Sequence, residues 1–281
     1  MPELPEVEAV RRELAPAMRG ARFRQVIVRR AGLRTLFPER FAARLRGRTV
    51  RALIRRGKYL LADLSSGETL LMHLGMSGSF QVEHPGPGRV SIGQSGNAVD
   101  PHDHVVFEMS SGATITFNDP RRFGIMDLVP NAALKHHAAL GAMGPEPLSR
   151  EFDAQALAAA CAGRKTAIKA ALLDQRVVAG LGNIYASEAL HLARLSPRRS
   201  ASGIATRSGA PRNSAAQLVR AIKATLERAI KRQQNPRYRS ARFRVYDREG
   251  QSCVTPGCDG TIRRITQAGR STFYCPVCQI G

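Results

Sequence analysis

The chain has 281 residues, 43% of them hydrophobic, which is enough apolar material for one large domain or two ordinary ones. Lys and Arg number 43 against 22 Asp and Glu, so the net charge is +21. Such a charge indicates a polyanionic partner, and nucleic acid is the natural candidate. No apolar run approaches the roughly 20 residues that span a bilayer, and the acidic N-terminus lacks the apolar segment of a signal peptide. We therefore expect a cytoplasmic protein with no membrane partner.

The first 130 residues are typical of a short helix followed by β-strands. Apolar residues at helical spacing predict a helix over 6–14, and Pro5 suits its first turn. Short β-type runs separated by turn signals predict strands at 23–29, 49–54, 59–64, 68–74, 104–109, 113–117 and 125–129. The Gly- and Pro-rich stretch 84–101 predicts a surface loop. Strands at this spacing indicate a sandwich or a barrel.

The composition changes near residue 131. Segment 151–232 has helical periodicity, with a Ser-, Arg- and Gly-rich linker at 196–214, and the last 40 residues become β-like. We predict an α+β protein with four segments. These are a β domain at 1–130, a linker at 131–150, a helical domain at 151–235 and a small C-terminal tail at 243–281.

Four of the five cysteines lie in this tail as two pairs. Cys253 and Cys258 are separated by four residues, Cys275 and Cys278 by two, and sixteen residues lie between the pairs. This spacing fits a tetrahedral zinc site with a hairpin between the pairs, and a closed four-Cys site is structural rather than catalytic. The alternative is a set of ordinary buried thiols. Cys161 lies outside the pattern, and we predict that it is a core residue of an Ala-rich helix.

The N-terminus carries a possible nucleophile. After removal of Met1, Pro2 would present a secondary amine, and α-amino groups have pKa values near 7.7 to 8.0, against about 10.4 for lysine. Such an amine condenses with an aldehyde to a cationic iminium. Glu3 and Glu6 lie beside it and could move protons. A simpler reading stays open, because proline in the first turn and glutamate near the positive end of the dipole are ordinary helix starts.

Motifs along nearly the whole chain resemble those of formamidopyrimidine-DNA glycosylases. They are MPELPEVE at 1–8, RRGKYLL at 55–61, HLGMSGS at 73–79, HDHV at 102–105, NDPRRFG at 118–124, GPEPLS at 144–149, KTAIK at 165–169, GLGNIYASEAL at 180–190 and GRSTFYCPVC at 269–278. The sister family of endonuclease VIII-like enzymes usually has glycine in place of Leu4. The resemblance therefore favours the branch that acts on purine lesions.

The resemblance implies a bifunctional base-excision repair enzyme with an N-terminal β-sandwich, a helix–two-turns–helix domain and a four-Cys zinc-finger hairpin. It also implies a monomer that binds damaged double-stranded DNA in a cleft, with one structural zinc and no organic cofactor. By motif match, Pro2 would attack C1′ and Glu3 would be the acid/base for sugar ring opening, with Glu6 in a supporting role. Lys58 would donate a proton in β-elimination and Arg270 in δ-elimination.

The same resemblance implies a set of DNA contacts. Three residues match positions that fill the void left by a flipped nucleotide: Met76, Arg121 and Phe123. Three more residues match other positions that contact DNA. Lys165 and Asn183 match phosphate contacts, and His102 matches a further DNA contact. The Gly-rich turn at 180–183 would offer backbone N–H groups to a phosphate.

Taken without the family, these residues have simpler readings. Met76 would belong to the core, Arg121 would be solvated, Lys58 would lie on the surface and the Gly-rich turn would be a helix cap. We predict that His73 is a hydrogen-bonded core histidine.

The chain departs from the family pattern in two places. The first cysteine pair encloses four residues where many relatives have two. Segment 231–250 lacks the Gly- and Thr-rich sequence that closes over the flipped base in relatives, and it is shortened and rich in arginine. We hypothesise that cleavage of abasic sites survives while excision of 8-oxoguanine is weakened. Two other functions stay open: an endonuclease VIII-like preference for oxidised pyrimidines, and a non-catalytic zinc-dependent DNA-binding protein.

Overall fold

The computed structural model describes residues 1–84, 100–233 and 243–281. Most of the predicted loop at 84–101 (residues 85–99) and residues 234–242 of segment 231–250 lie outside the described residues. The chain divides into two compact units, Met1–Pro2 with Glu6–Gly141, and Glu3–Pro5 with Ala142–Gly281. The helical segment and the cysteine-rich tail thus share one compact unit, and the four segment boundaries given above stay a prediction.

Helix α1 (Leu4–Met18) opens the chain. It is longer than the predicted 6–14 because the apolar face continues in both directions, from buried Leu4 to buried Ala17 and Met18. Pro5 lies in the first turn, where the missing N–H has no helical partner to lose.

Eight strands follow among the described residues of the first unit. In chain order they are β1 (Phe23–Val28), β2 (Val50–Arg56), β3 (Tyr59–Leu64), β4 (Glu68–His73), β5 (Ser79–Glu83), β6 (Asp103–Met109), β7 (Thr114–Asn118) and β8 (Ile125–Pro130), with the short helix α2 (Phe41–Leu45) after β1. They form two antiparallel sheets of order β1-β6-β7-β5 and β2-β3-β4-β8. Side chains of both sheets share one buried cluster, including Leu60, Phe107 and Phe117, which confirms the predicted β-sandwich.

Strand β5 was not predicted. It is an edge strand of only five residues, in which Phe80 and Val82 alternate with three exposed polar residues, so it offers just two apolar positions as a sequence signal. Its pairing with β7, a strand more than 30 residues away along the chain, holds it in the sheet.

In the part of the second unit that the structure describes, four α-helices and a hairpin are the main elements. They are α3 (Ala154–Cys161), α4 (Ile168–Leu173), α5 (Asn183–Leu192), α6 (Asn213–Gln233), β9 (Arg263–Gln267) and β10 (Arg270–Tyr274). The helices share a core that includes Leu4 and Cys161, so Cys161 is the core residue that the sequence predicted. The segment predicted as a linker at 196–214 contains the 3-10 helix Ala201–Ile204, and both of its end residues are buried in this core. Among the described residues, no helix is both long and apolar enough to cross a bilayer.

The β9–β10 hairpin presents Arg270 at its tip. Its two-residue turn, Ala268-Gly269, has positive φ at both positions (48° and 70°), as a type I′ turn requires. The turn matches the twist of the strands, and Arg270 begins β10 as an exposed residue.

Candidate active site and metal centre

Glu3 is fixed at the amino end of α5. Its side chain is buried, with the residue 2% exposed, and its carboxylate accepts hydrogen bonds from the backbone N–H groups of Ile184 (2.8 Å) and Tyr185 (3.3 Å). A helix leaves these first-turn donors unpaired, and the N-cap residue Gly182 has no side chain to receive them. A Cβ atom on Gly182 would overlap the Glu3 carboxylate, so the close approach requires glycine. The positive end of the α5 dipole also favours the charged carboxylate.

The Gly-rich turn at 180–183 precedes these two donors. Within the turn, Gly180 N donates to Gln175 Oε1 (2.8 Å), and Gly180 O accepts from Leu4 N (3.2 Å). The role of the turn in binding a DNA phosphate stays a prediction.

Lys169 was not predicted as a site residue, although it lies in the KTAIK motif. Its buried Nζ donates to Asn183 Oδ1 (2.6 Å), Thr272 Oγ1 (2.7 Å) and Ser271 O (3.1 Å). Asn183 Nδ2 also donates to Ser271 O (2.9 Å). Lys169 therefore joins α4, the amino end of α5 and β10, the strand that begins at Arg270. A lysine within the buried apolar face of α4 was the available sequence signal.

Substituting Lys169 by methionine is expected to change how stability depends on pH. Burial, assisted by the charge of Arg270, lowers the pKa of Lys169 from 10.5 to about 8, although Glu3 opposes the shift. Between these two values the unfolded chain holds a proton that the folded chain has lost. The wild-type free energy of unfolding should therefore rise with pH, by up to about 1.4 kcal/mol per pH unit, and K169M should lack this rise.

Chemical unfolding of both proteins at several pH values from 7.5 to 9.5 measures the effect. The free energy of unfolding of wild type minus that of K169M should increase as pH rises. K165M, which removes the exposed lysine of the same motif, serves as the matched control and should follow wild type. A difference that stays constant with pH would contradict the lowered pKa.

Two loops of the first unit are held together by Asp119. The buried Asp119 carboxylate accepts hydrogen bonds from Ser77 Oγ (2.6 Å) and from Gly124 N (2.7 Å). Ser77 Oγ in turn accepts a hydrogen bond from Arg121 N (3.2 Å). Gly75, at positive φ, packs against the backbone of Phe123 so closely that no Cβ would fit. The loops at 74–79 and 119–124 therefore form one rigid surface.

The three residues predicted to fill a void in DNA lie on this surface. Met76 is 42% exposed and Phe123 is 41% exposed, and the Arg121 guanidinium lies 4.7 Å from the centre of the Phe123 ring. Met76 is therefore not a core residue. Exposed apolar side chains beside a stacked guanidinium are suited to enter a base stack.

Lys58 is buried, so the alternative interpretation of Lys58 as a surface lysine is wrong. It lies on the turn between β2 and β3, and it is only 7% exposed. His73 has the predicted hydrogen bond, because its Nδ1 accepts from Gly75 N (3.0 Å), but it is half-buried rather than a core residue. Burial and the nearby charge of Lys58 lower the pKa of His73 to about 4. His73 is thus neutral at pH 7 beside the predicted proton donor.

The remaining predicted site residues differ in their exposure and hydrogen bonding. Pro2 and Glu6 are half-buried, and Met1 is exposed. His102 and Lys165 are exposed, whereas the Asn183 carboxamide is bonded within the protein through both its oxygen and its nitrogen. Their assigned roles stay predictions.

The four paired cysteines converge as the sequence predicted. Sγ atoms of Cys253 and Cys278 lie 3.7 Å apart, those of Cys258 and Cys275 lie 3.6 Å apart, and all four lie within 4.8 Å of one another. Four sulfurs at 2.3 Å from zinc would be about 3.8 Å apart at a regular tetrahedron's edges. The sulfurs therefore fit zinc, and the longer first knuckle does not disturb the set.

Similar proteins are known along the full length of the chain. Formamidopyrimidine-DNA glycosylases of a Bradyrhizobium species and of Rhodopseudomonas palustris are 55% and 56% identical to it, each over 99% of this chain and 100% of the relative. The solved Lactococcus lactis enzyme bound to abasic-site DNA matches with a TM-score of 0.84 and 30% identity, over 99% of both chains. The Thermus thermophilus enzyme matches with a TM-score of 0.80 and 36% identity, over 99% of this chain and 98% of that one.

Sequence models of known domain families match three consecutive parts of the chain. They are the formamidopyrimidine-DNA glycosylase N-terminal domain at 1–126, its H2TH domain at 143–239, and the zinc finger found in FPG and IleRS at 250–280. This order of domains defines an enzyme of the bifunctional DNA glycosylase and AP lyase class. The chain belongs to the formamidopyrimidine-DNA glycosylase family, which confirms the resemblance drawn from its motifs.

Proposed function

We propose that the protein removes oxidised purines from double-stranded DNA and cleaves the resulting abasic site by β,δ-elimination through a Schiff base on Pro2. The observation that carries this proposal is the buried carboxylate of Glu3, fixed by two backbone N–H groups and directly bonded in the chain to Pro2. The solved structures of relatives support the substrate class, since they include complexes with DNA containing an abasic site, carbocyclic 8-oxo-G or FAPY-dG.

The reaction begins at the amine of Pro2 once Met1 has been removed. The amine nitrogen bonds to C1′, the bond from C1′ to the base breaks, and the base leaves. Glu3 moves the proton that sugar ring opening requires, so that the C1′–O4′ bond breaks and a cationic iminium remains. Loss of a C2′ proton to water then breaks the C3′–O3′ bond, and loss of a C4′ proton breaks the C5′–O5′ bond, with Lys58 and Arg270 as the proton donors for the two eliminations. Hydrolysis of the iminium frees the Pro2 amine and the unsaturated sugar fragment, which leaves a one-nucleotide gap with a phosphate at each end.

The damaged nucleotide must leave the base stack before it meets Pro2. Flipping costs a few kcal/mol, and the vacated space must be filled. We assign this to Met76, Arg121 and Phe123, because their side chains are exposed on the surface that Asp119 holds rigid. The assignment of His102, Lys165 and Asn183 to the DNA backbone rests on the motif match.

We also propose that one structural zinc is held by the four cysteine sulfurs. Bound zinc supplies folding energy, because the tail carries only a small apolar cluster around Val245, Ile262 and Phe273. The closed set of four ligands leaves no position for substrate. A monomeric state, the lack of an organic cofactor and a cytoplasmic, nucleoid-associated location stay predictions.

Borohydride trapping on three DNA duplexes tests the function. We expect covalent adducts on DNA that carries an abasic site or 8-oxoguanine. Single-turnover excision of 8-oxoguanine should be slower than cleavage of the abasic site, because segment 231–250 departs from the family. Faster processing of a duplex with an oxidised pyrimidine would support the endonuclease VIII-like alternative. Binding without any adduct would support the non-catalytic alternative.

A further inference from the structure

An imidazole from α5 lies against the cysteine cluster. His191, in the last turn of the helix, is 1% exposed. Its Nε2 atom lies 3.4 Å from Cys253 Sγ and 3.9 Å from Cys278 Sγ. The Thr255 hydroxyl lies 3.3 Å from the same nitrogen and 3.7 Å from Cys278 Sγ. One nitrogen therefore faces the edge of the sulfur tetrahedron that Cys253 and Cys278 form.

The surroundings of the ring decide which nitrogen carries the proton. Nδ1 is buried and has no hydrogen-bond partner among the described residues. A proton on Nδ1 alone would leave a buried donor unpaired and would aim the bare Nε2 lone pair at a thiolate. A proton on Nε2 instead faces the acceptors Cys253 Sγ and Thr255 Oγ1. The geometry therefore favours the Nε2–H tautomer.

We propose that His191 is a hydrogen-bond donor to the zinc-bound thiolates, directly to Cys253 and through the Thr255 hydroxyl to Cys278. The inference rests on the proposed zinc centre. Four thiolates around Zn²⁺ carry a net charge of −2, and each N–H···S bond withdraws charge from a sulfur. The sulfur then reacts less readily with protons and oxidants, because thiolate character controls that reactivity. Such partners of metal ligands also fix the ligands' orientation.

His191 is a hydrogen-bond donor from outside the zinc finger, whereas the backbone N–H of Thr255 is a donor within it. Cys253 Sγ already accepts a hydrogen bond from the backbone N–H of Thr255 (3.4 Å), which belongs to the same knuckle. His191 is 62 residues away and belongs to the helix whose amino end holds Glu3. The contact therefore attaches the finger to the helix as well as lowering the charge on the sulfur.

Variants of His191 in the full-length protein test the proposal. H191F keeps a buried ring without a donor, and H191Q places an amide N–H near the position of Nε2. With cobalt in place of zinc, we expect H191F to move the sulfur-to-cobalt charge-transfer band to lower energy. Zinc release by hydrogen peroxide, followed with a chromogenic chelator, should become about 10-fold faster. H191Q should restore both properties in part.

The control is L190A, which removes buried apolar volume from the neighbouring residue of α5, a residue outside the finger cluster. It should lower thermal stability without moving the charge-transfer band. A band and a release rate in H191F equal to those of wild type would overturn the proposal.

A measurement on the wild-type protein needs no variant. In ¹⁵N-labelled protein loaded with ¹¹³Cd, we expect His191 to show the Nε2–H tautomer and a coupling from that proton to cadmium. An Nδ1–H tautomer would overturn the proposal even if H191F fails to fold. If the wild-type chain binds no metal at the four cysteines, the proposed zinc centre is wrong, and the role of His191 is wrong with it. If it binds metal and the coupling is missing, only the role of His191 fails.

Discussion

The P2G variant is expected to lose covalent trapping on abasic-site DNA by about 100-fold or more. Proline supplies a secondary amine, which forms a cationic iminium without a further proton. Glycine supplies a primary amine and adds backbone freedom at the attacking atom. Borohydride trapping, measured as the initial rate of adduct formation, compares the two proteins.

The comparison requires that both proteins have lost Met1, which intact-mass spectrometry establishes. Binding to DNA with a non-reactive abasic analogue should stay within a few-fold of wild type, because the substitution removes no charge. Trapping by P2G at the wild-type rate would show that the nucleophile lies elsewhere. Trapping by a chain that retains Met1 would likewise show that the nucleophile is not the amine of Pro2.

The E3Q variant is expected to lose base excision by about 10²- to 10⁴-fold, the usual contribution of a positioned acid or base. Processing of a preformed abasic site should fall much less, because part of that sugar is already an open aldehyde and needs no ring opening. Single-turnover rates on 8-oxoguanine DNA and on abasic-site DNA measure the two effects. Equal losses on both substrates would contradict the role of Glu3 in ring opening.

Glu3 also has a structural role that the experiment must separate. In E3Q the glutamine oxygen can still accept a hydrogen bond from Ile184 N, but the negative charge that interacts favourably with the positive end of the α5 dipole is lost. This loss should lower the free energy of unfolding by about 0.5–2 kcal/mol. Thermal unfolding of E3Q measures this cost. E13Q removes an exposed carboxylate from α1 and should match wild type in both activities and in stability. Activity of E3Q within threefold of wild type on 8-oxoguanine would exclude Glu3 as the acid/base.

Features that depend on neighbouring residues could be predicted from the sequence. Most strands of the sandwich follow from short β-type runs between turn signals, and β3 has the predicted bounds, 59–64. The cysteine cluster follows from the spacing of its two pairs, because a hairpin returns the chain over a short distance. The family motifs are also contiguous strings, so the family and its candidate catalytic residues were visible without a structure.

Features that depend on distant contacts were decided by the tertiary structure alone. Glu3 meets the amino end of α5 across 181 residues, and Lys169 meets Thr272 across 103. Neither pairing leaves a local pattern, so Lys169 was missed. Burial of Lys58 and exposure of Met76 likewise depend on how whole elements pack. Local sequence patterns therefore determined the elements, the metal ligands and the candidate chemistry of this chain. The partners and the charge environment of each side chain came from contacts that form only on folding.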